Sequence, residues 1–139
     1  MPSSVSSGPM TLFDVAQHGM SAQLVRMNAA ASNLANAGSV SGSAEGTYRP
    51  LRPVFAAQLD RATGLATVNV SAVVRSDAAP VREHNPDHPL ADANGDVWNS
   101  PVDENAEMVE MLDSSRQYQN LVEALSTAKQ LMLETMRMK

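Results

Sequence analysis

A seven-residue apolar repeat runs through both ends of this chain and is missing from its middle. Near the N-terminus Phe13, Met20, Met27 and Leu34 recur at that interval. Near the C-terminus Met111, Tyr118, Leu125 and Met132 do the same. Such spacing keeps one face of a long α-helix buried against other helices over many turns. Seams at both termini, around a middle broken by Pro and Gly, point to a subunit whose ends pack into an assembly.

The first helix is expected from Thr11, an N-cap with Asp14 three residues on as a capping box, to about Ala37. Gly38 would follow as the C′ residue. Its apolar stripe is Phe13, Ala16, Met20, Leu24, Met27, Ala31 and Leu34. Val25, Ala29, Ala30 and Ala35 lie off that stripe, and their small size allows close backbone approach on a second face. The second helix is expected from Pro101, capped by Ser100 with Asp103 three residues later, to the C-terminus. Its stripe runs Met108, Met111, Ser115, Tyr118, Val122, Leu125, Lys129, Met132 and Met136, and Leu112, Leu121, Leu131 and Leu133 widen it beyond a two-stranded seam. The two helices would be ~40 and ~55 Å long. A lone pair of them leaves too many apolar positions uncovered, so the surplus points to neighbouring chains.

Between the helices, 38–47 has the low hydrophobicity of a mobile loop. Tyr48 to Leu59 and Leu65 to Ser76 form a strand pair joined through Asp60-Arg61-Ala62-Thr63-Gly64. Pro50 and Pro53 restrict the first strand to an edge. Residues 80–92 hold three prolines and cannot be helical. Asn94-Gly95 predicts a type I′ turn between Leu90-Ala91 and Val97-Trp98. The resulting fold class is α+β, mainly α. A disordered Ser-rich tail covers 1–9, residues 10–38 and 101–139 pair as a coiled-coil core domain, and 39–100 form a β-rich middle lobe.

Composition narrows the function. Net charge is −5, and the ten Lys and Arg residues are scattered rather than striped, against nucleic acid as a partner. Nine methionines supply adaptable packing volume. No window resembles a membrane span, and the polar face of the first helix carries only Arg26, so no direct membrane insertion is expected. Residues 1–7 lack the basic and apolar regions of a cleaved secretory signal. Without cysteine there are no disulfides, thiolate zinc sites or cysteine nucleophiles. No phosphate loop or nucleophile elbow is present. A metal-binding module or small enzyme built on His84, His88 and Asp92 is the alternative of a different class. Pro86 and Pro89 deny the two histidines a helical spacing, and Asp92 to Asp96 departs from a calcium loop, so a structural turn is the better explanation. No cofactor, metal or small-molecule substrate is expected.

Ala31-Ser32-Asn33-Leu34-Ala35-Asn36-Ala37 resembles the Asn-Leu/Ile-Ala-Asn motif of bacterial flagellar rod, hook and hook-associated proteins. Tyr48-Arg49-Pro50, the run Asn85-Pro86-Asp87-His88-Pro89-Leu90-Ala91-Asp92-Ala93-Asn94-Gly95, Glu107-Met108-Val109 and Ser115-Arg116-Gln117-Tyr118-Gln119 narrow the resemblance to the proximal-rod subunits. It covers nearly the whole chain from residue 10. Asp96 stands where an aromatic residue is expected, and Trp98 to Val102 match only in part. The resemblance implies a structural, non-enzymatic subunit of the basal body. Its terminal helices would pair in a hollow shaft that crosses the periplasm, encloses the export channel and transmits torque. It implies export without a cleaved signal, and ends that order on assembly. Partners would be other copies, other rod subunits and the ring or export-gate adaptor at the base. A sister proximal-rod or distal-rod subunit is the alternative within this class. The expected interface residues are Phe13, Met20, Leu24, Met27, Leu34, Met111, Tyr118, Val122, Leu125 and Met132, with Asn33 and Asn36 as polar contacts to neighbouring backbones.

Overall fold

A computed structural model describes residues 11–138; the expected tail at 1–9 lies outside them. Two helices, α1 (Leu12–Ala35) and α2 (Glu104–Arg137), flank five strands: β1 (Val40–Ser41), β2 (Leu51–Leu59), β3 (Ala66–Arg75), β4 (Val81–His84) and β5 (Asp96–Asn99). The class is therefore α+β. No described helix is long and apolar enough to cross a membrane.

α1 opens on the expected box. The Thr11 hydroxyl accepts from the Asp14 N–H at 3.2 Å, and the Asp14 carboxylate accepts from the Thr11 N–H at 2.9 Å. The other three helix ends expected from sequence move. α1 stops at Ala35 with Asn36 as its cap, and Gly38 has no positive φ. The Asn36 amide bonds back to the Ser32 carbonyl at 2.8 Å, so it occupies the helix end that Gly38 was expected to turn. α2 begins at Glu104 because the Asp103 carboxylate, not Ser100, accepts from the Asn105 and Ala106 N–H groups. Ser100 is buried and donates its hydroxyl to the Tyr48 carbonyl at 3.2 Å. α2 ends on Arg137, with Met138 as its cap.

The helices run antiparallel, as shown by Arg26 against Glu110 and Asp113 and by Gly19 against Leu121, where an added Cβ would lie 3.1 Å from Leu121 Cδ1. Their contact is only partly built from the heptad positions. On α1 the buried residues are Ala16, Ala22, Ala29, Ala30 and Asn33. On α2 they are Glu107 and Ser114. Of the expected α1 stripe, Ala16 alone is buried; Phe13, Met20, Met27 and Leu34 are half-buried, and Leu24 and Ala31 are exposed. The buried α1 residues are small or polar: Ala16 comes from the expected stripe, Ala29 and Ala30 from the expected second face, and Ala22 from neither, and their short side chains allow close packing on α1.

The expected hairpin forms between β2 and β3, in register from Leu51 opposite Arg75 to Leu59 opposite Ala66. Gly64 closes its turn at φ +72°, a conformation open to glycine. The pairing skips Ser71, whose hydroxyl donates to the Val54 carbonyl at 3.1 Å. This bulge aligns Val73, Val70 and Val68 opposite Pro53, Phe55 and Ala57, which is why strict alternation breaks at Val73-Val74. The most buried β3 residue is Thr67, while Val68, Val73 and Val74 stay exposed.

A second sheet has the order β1-β5-β4, all antiparallel. It draws in part of 38–47, the expected mobile loop, as β1. Asn94-Gly95 does not make the expected type I′ hairpin: Gly95 alone has positive φ, at +79°. Asp92 takes over, its carboxylate accepting from the Asn94 and Asp96 N–H groups at 2.8 and 2.9 Å. The strand facing β5 is Val81–His84 rather than Leu90-Ala91. Val97 on β5 is the largest fully buried apolar side chain among the described residues.

Two outcomes follow from the helices. Ala30 is 2% exposed, so Ala30→Leu will overpack the seam and lower unfolding free energy by about 1–3 kcal/mol, measured in urea. Backbone and hydroxyl bonds from Thr11 hold the Asp14 carboxyl below its ordinary 3.8. A depressed carboxylate pKa contributes stability above the unfolded value and loses it as pH falls through the folded one. Asp14→Ala will therefore lower the thermal midpoint at neutral pH, and the gap to wild type will close well below pH 3.8.

Candidate assembly interface

The polar groups that hold the two lobes together come from the end of α1. Asn33 is fully buried. Its Oδ1 accepts from the Leu51 N–H at 2.7 Å and from the Tyr48 hydroxyl at 2.8 Å, and its Nδ2 donates to the Leu51 carbonyl at 3.1 Å. One amide thus satisfies both backbone groups of the first residue of β2. Tyr48 also meets the Ser32 hydroxyl at 3.0 Å, and the Arg75 guanidinium lies over its ring at 5.0 Å. Arg75 donates to the Arg49 carbonyl at 2.9 Å, joining the last residue of β3 to the chain entering β2. Asn33, expected among the contacts to neighbouring chains, spends its amide inside this one. Asn36 remains half-buried at the helix end.

Two charged groups brace the helices. Arg26 donates to Gln23, Glu110 and Asp113, the last at 2.8 Å. Burial pulls its pKa down, and the bonds to Asp113 and Glu110 more than offset that pull. Glu107 is 1% exposed and pairs with Arg52 through Oε1. The sequence carried no periodic signal for Tyr48, Arg52 or Glu107 as a group; each bonds across lobes that are distant in the chain.

The expected apolar interface residues are spread over the helical surface. Met111, Tyr118 and Leu125 are half-buried, and Val122 and Met132 are exposed. Leu125 shares an apolar cavity wall with Leu12, Val15 and Ala16. Met108, Val109, Leu112, Leu131, Leu133 and Met136 add to the exposed apolar surface of α2, with Leu112 at 70%. The hairpin adds Val54, Phe55, Leu59, Val68, Val73 and Val74, which were expected as strand residues and not as exposed apolar surface. Large apolar side chains are thus exposed on both the helices and the hairpin.

The segment of the alternative metal site is occupied by local bonds. His84 Nδ1 meets Asp96 Oδ1 at 3.0 Å, His88 Nδ1 accepts from the Leu90 N–H at 3.0 Å, and Asp92 holds its own turn. Among the described residues no three His, Asp or Glu side chains group as metal ligands do.

The geometry describes a helical structural subunit with uncovered apolar faces, and the comparisons with known proteins agree. The family profile described as "Flagella basal body rod protein" matches residues 13–42, and that described as "Flagellar basal body rod FlgEFG protein C-terminal" matches 93–138. The chain is 45% identical over 129 residues to the flagellar basal-body rod protein FlgC of Salmonella typhimurium strain LT2, covering 91% of this chain and 95% of that one. It is 44% identical to FlgC of Escherichia coli O157:H7 over the same shares. It is 29% identical to FlgC of Agrobacterium fabrum strain C58, over 87% and 88% of the two chains. The chain belongs to the FlgC family of flagellar basal-body rod proteins, and its role is that of a structural subunit of the rod.

The Asn33 junction predicts a measurable loss. Asn33→Ala removes the partner of the half-buried Leu51 N–H and carbonyl, and a stranded buried group costs about 1–3 kcal/mol. Thermal unfolding will report the drop, and hydrogen exchange will show the Leu51 amide exchanging faster than in wild type.

Proposed function

We propose that this chain is a proximal-rod subunit that builds, with its neighbours, a hollow shaft crossing the periplasm, enclosing the export channel and transmitting motor torque. It performs no catalysis and carries no cofactor. It leaves the cell interior through the flagellar export apparatus without a cleaved signal. Its partners are other copies, other rod subunits, and the ring or export-gate adaptor at the shaft's base. Residues 10–38 and 101–139 act as the core domain along the shaft, and 39–100 as the outer lobe.

One observation carries this reading. The fully buried helix residues are small or polar, and most of the large apolar side chains on both helices keep exposed surface. Phe13, Met20, Leu24, Met27 and Leu34 on α1, with Met111, Tyr118, Val122, Leu125 and Met132 on α2, are then available to neighbouring helices, giving each helix a second seam between subunits. Torque transmission needs many such contacts acting together, since each apolar side chain contributes only about 1.5–3 kcal/mol when fully buried.

Val122→Glu and Met132→Glu test this. Both positions are exposed, so each variant will keep monomer stability within about 0.5 kcal/mol of wild type. In cells lacking their own copy, each will yield about tenfold fewer complete rods, as loss of an interface anchor does. Swimming in soft agar and counts of isolated basal bodies measure the effect. Normal rods from both variants would remove these residues from the interface.

A further inference from the structure

The turn before β5 holds two residues whose chemistry the fold restrains. Asn94 is exposed, and it is the one asparagine of the chain followed by glycine. Its side-chain amide makes no hydrogen bond among the described residues. Gly95 does not tolerate a larger residue. Its φ is +79°, a conformation that side chains oppose. An added Cβ would also lie 3.1 Å from His84 Cε1 and 3.2 Å from Pro86 Cβ and Cγ. The fold therefore demands glycine here, and that glycine leaves the nitrogen next to Asn94 without a side chain to shield it.

In an unrestrained chain such a nitrogen attacks its neighbour. Gly95 N gives up its proton, and its electron pair forms a bond to Asn94 Cγ. The Cγ–Nδ2 bond breaks, and Nδ2 takes up a proton and leaves as ammonia. Water then opens the five-membered imide at either carbonyl and leaves aspartate or isoaspartate. One asparagine and one water have become one acid and one ammonia. The product adds a negative charge beside Asp92 and Asp96, and isoaspartate also lengthens the backbone by a methylene. The change falls two residues before β5, the strand that carries the buried Val97.

The folded turn opposes this attack. The Gly95 N–H donates to the Asp92 carbonyl at 3.0 Å, and the Gly95 carbonyl accepts from the Asn85 N–H at 2.9 Å. A bonded N–H is harder to deprotonate, and its nitrogen is not free to swing toward Cγ. Asp92 Oδ1 accepts from the Asn94 and Asp96 N–H groups at 2.8 and 2.9 Å, which fixes the backbone on both sides of Gly95. The Asp92 charge also sits within the turn, and a nearby like charge disfavours the anionic nitrogen that the attack needs. We propose that Asn94 is a latent deamidation site, held closed by the Asp92 turn in the folded subunit and released when that turn opens. Nothing in this depends on the rod reading.

The full chain is incubated at neutral pH, folded in buffer and unfolded in guanidinium chloride. Digestion and mass spectrometry follow the conversion of amide to acid at Asn94, and an isoaspartate-specific carboxyl methyltransferase labels the product. Asn99, whose amide donates to Glu83 Oε2 at 2.8 Å, serves as the internal control. Asn94 will react at least about tenfold more slowly in the folded chain than in denaturant, a barrier difference of about 1.4 kcal/mol. Asp92→Ala will raise the folded rate about tenfold at Asn94 and leave Asn99 unchanged. Asp92→Asn keeps an oxygen acceptor and loses the charge, and its rate will fall between the two. Circular dichroism checks that each variant is folded, and the comparison of the wild-type chain in the two solvents needs no variant. Equal rates in buffer and denaturant overturn the proposal, as does an unfolded chain in which Asn94 reacts no faster than Asn99. A folded Asp92→Ala chain as slow as wild type overturns the part given to Asp92.

Discussion

The position of the middle lobe depends on one buried amide. Asn33 stands two residues before the end of α1 and takes both backbone bonds of Leu51, as a neighbouring strand would. Asparagine can do this because it presents a donor and an acceptor side by side. Aspartate would lose the donor, and leucine both. The strand that begins at Leu51 is therefore held at a defined place on the helix pair, and Tyr48, Arg75 and Ser100 tie the adjoining segments to the same point. The Asn-Leu-Ala-Asn stretch thus has a physical meaning inside a single subunit: its first asparagine fastens the outer lobe to the core.

The second constraint is the division of apolar residues by size. Ala16, Ala22, Ala29 and Ala30 are the buried apolar residues of α1, and its larger apolar side chains are at most half-buried. A monomer designed for its own stability would bury its large residues first, because burial free energy follows apolar area. On its helices this chain buries Ala, Asn, Ser and Glu and leaves Leu112, Val109 and Met136 exposed. That distribution suits a family whose members serve in a polymeric shaft.

Much of the fold was legible in the chain. Helical period, the Thr11 capping box, the β2–β3 hairpin and its turn are local signals, and local signals survive folding. The errors fell where a side chain found a distant partner. Ser100 and Pro101 have the form of a helix start, yet Ser100 is drawn to Tyr48 and Asp103 caps instead. Asn94-Gly95 has the form of a hairpin turn, yet β5 pairs with β4 and the Asp92 carboxylate sets the turn. Periodicity also marked the stripe from Phe13 to Leu34 as the buried face of α1, yet within the subunit only Ala16 of that stripe is fully buried, because a helical repeat records which residues are apolar and not how closely a partner approaches.

The sequence by itself determined the two terminal helices, the β-containing middle, the absence of thiol and phosphate-loop chemistry, and a resemblance to the flagellar rod family. Each of these follows from residue type at fixed spacing. Only the tertiary structure decided which residues of each helix are buried, that Asn33 is an internal fastener, and that Arg52 meets Glu107 across the lobes. These depend on contacts between residues far apart in the chain, whose energies arise from burial and pairing that no local pattern encodes.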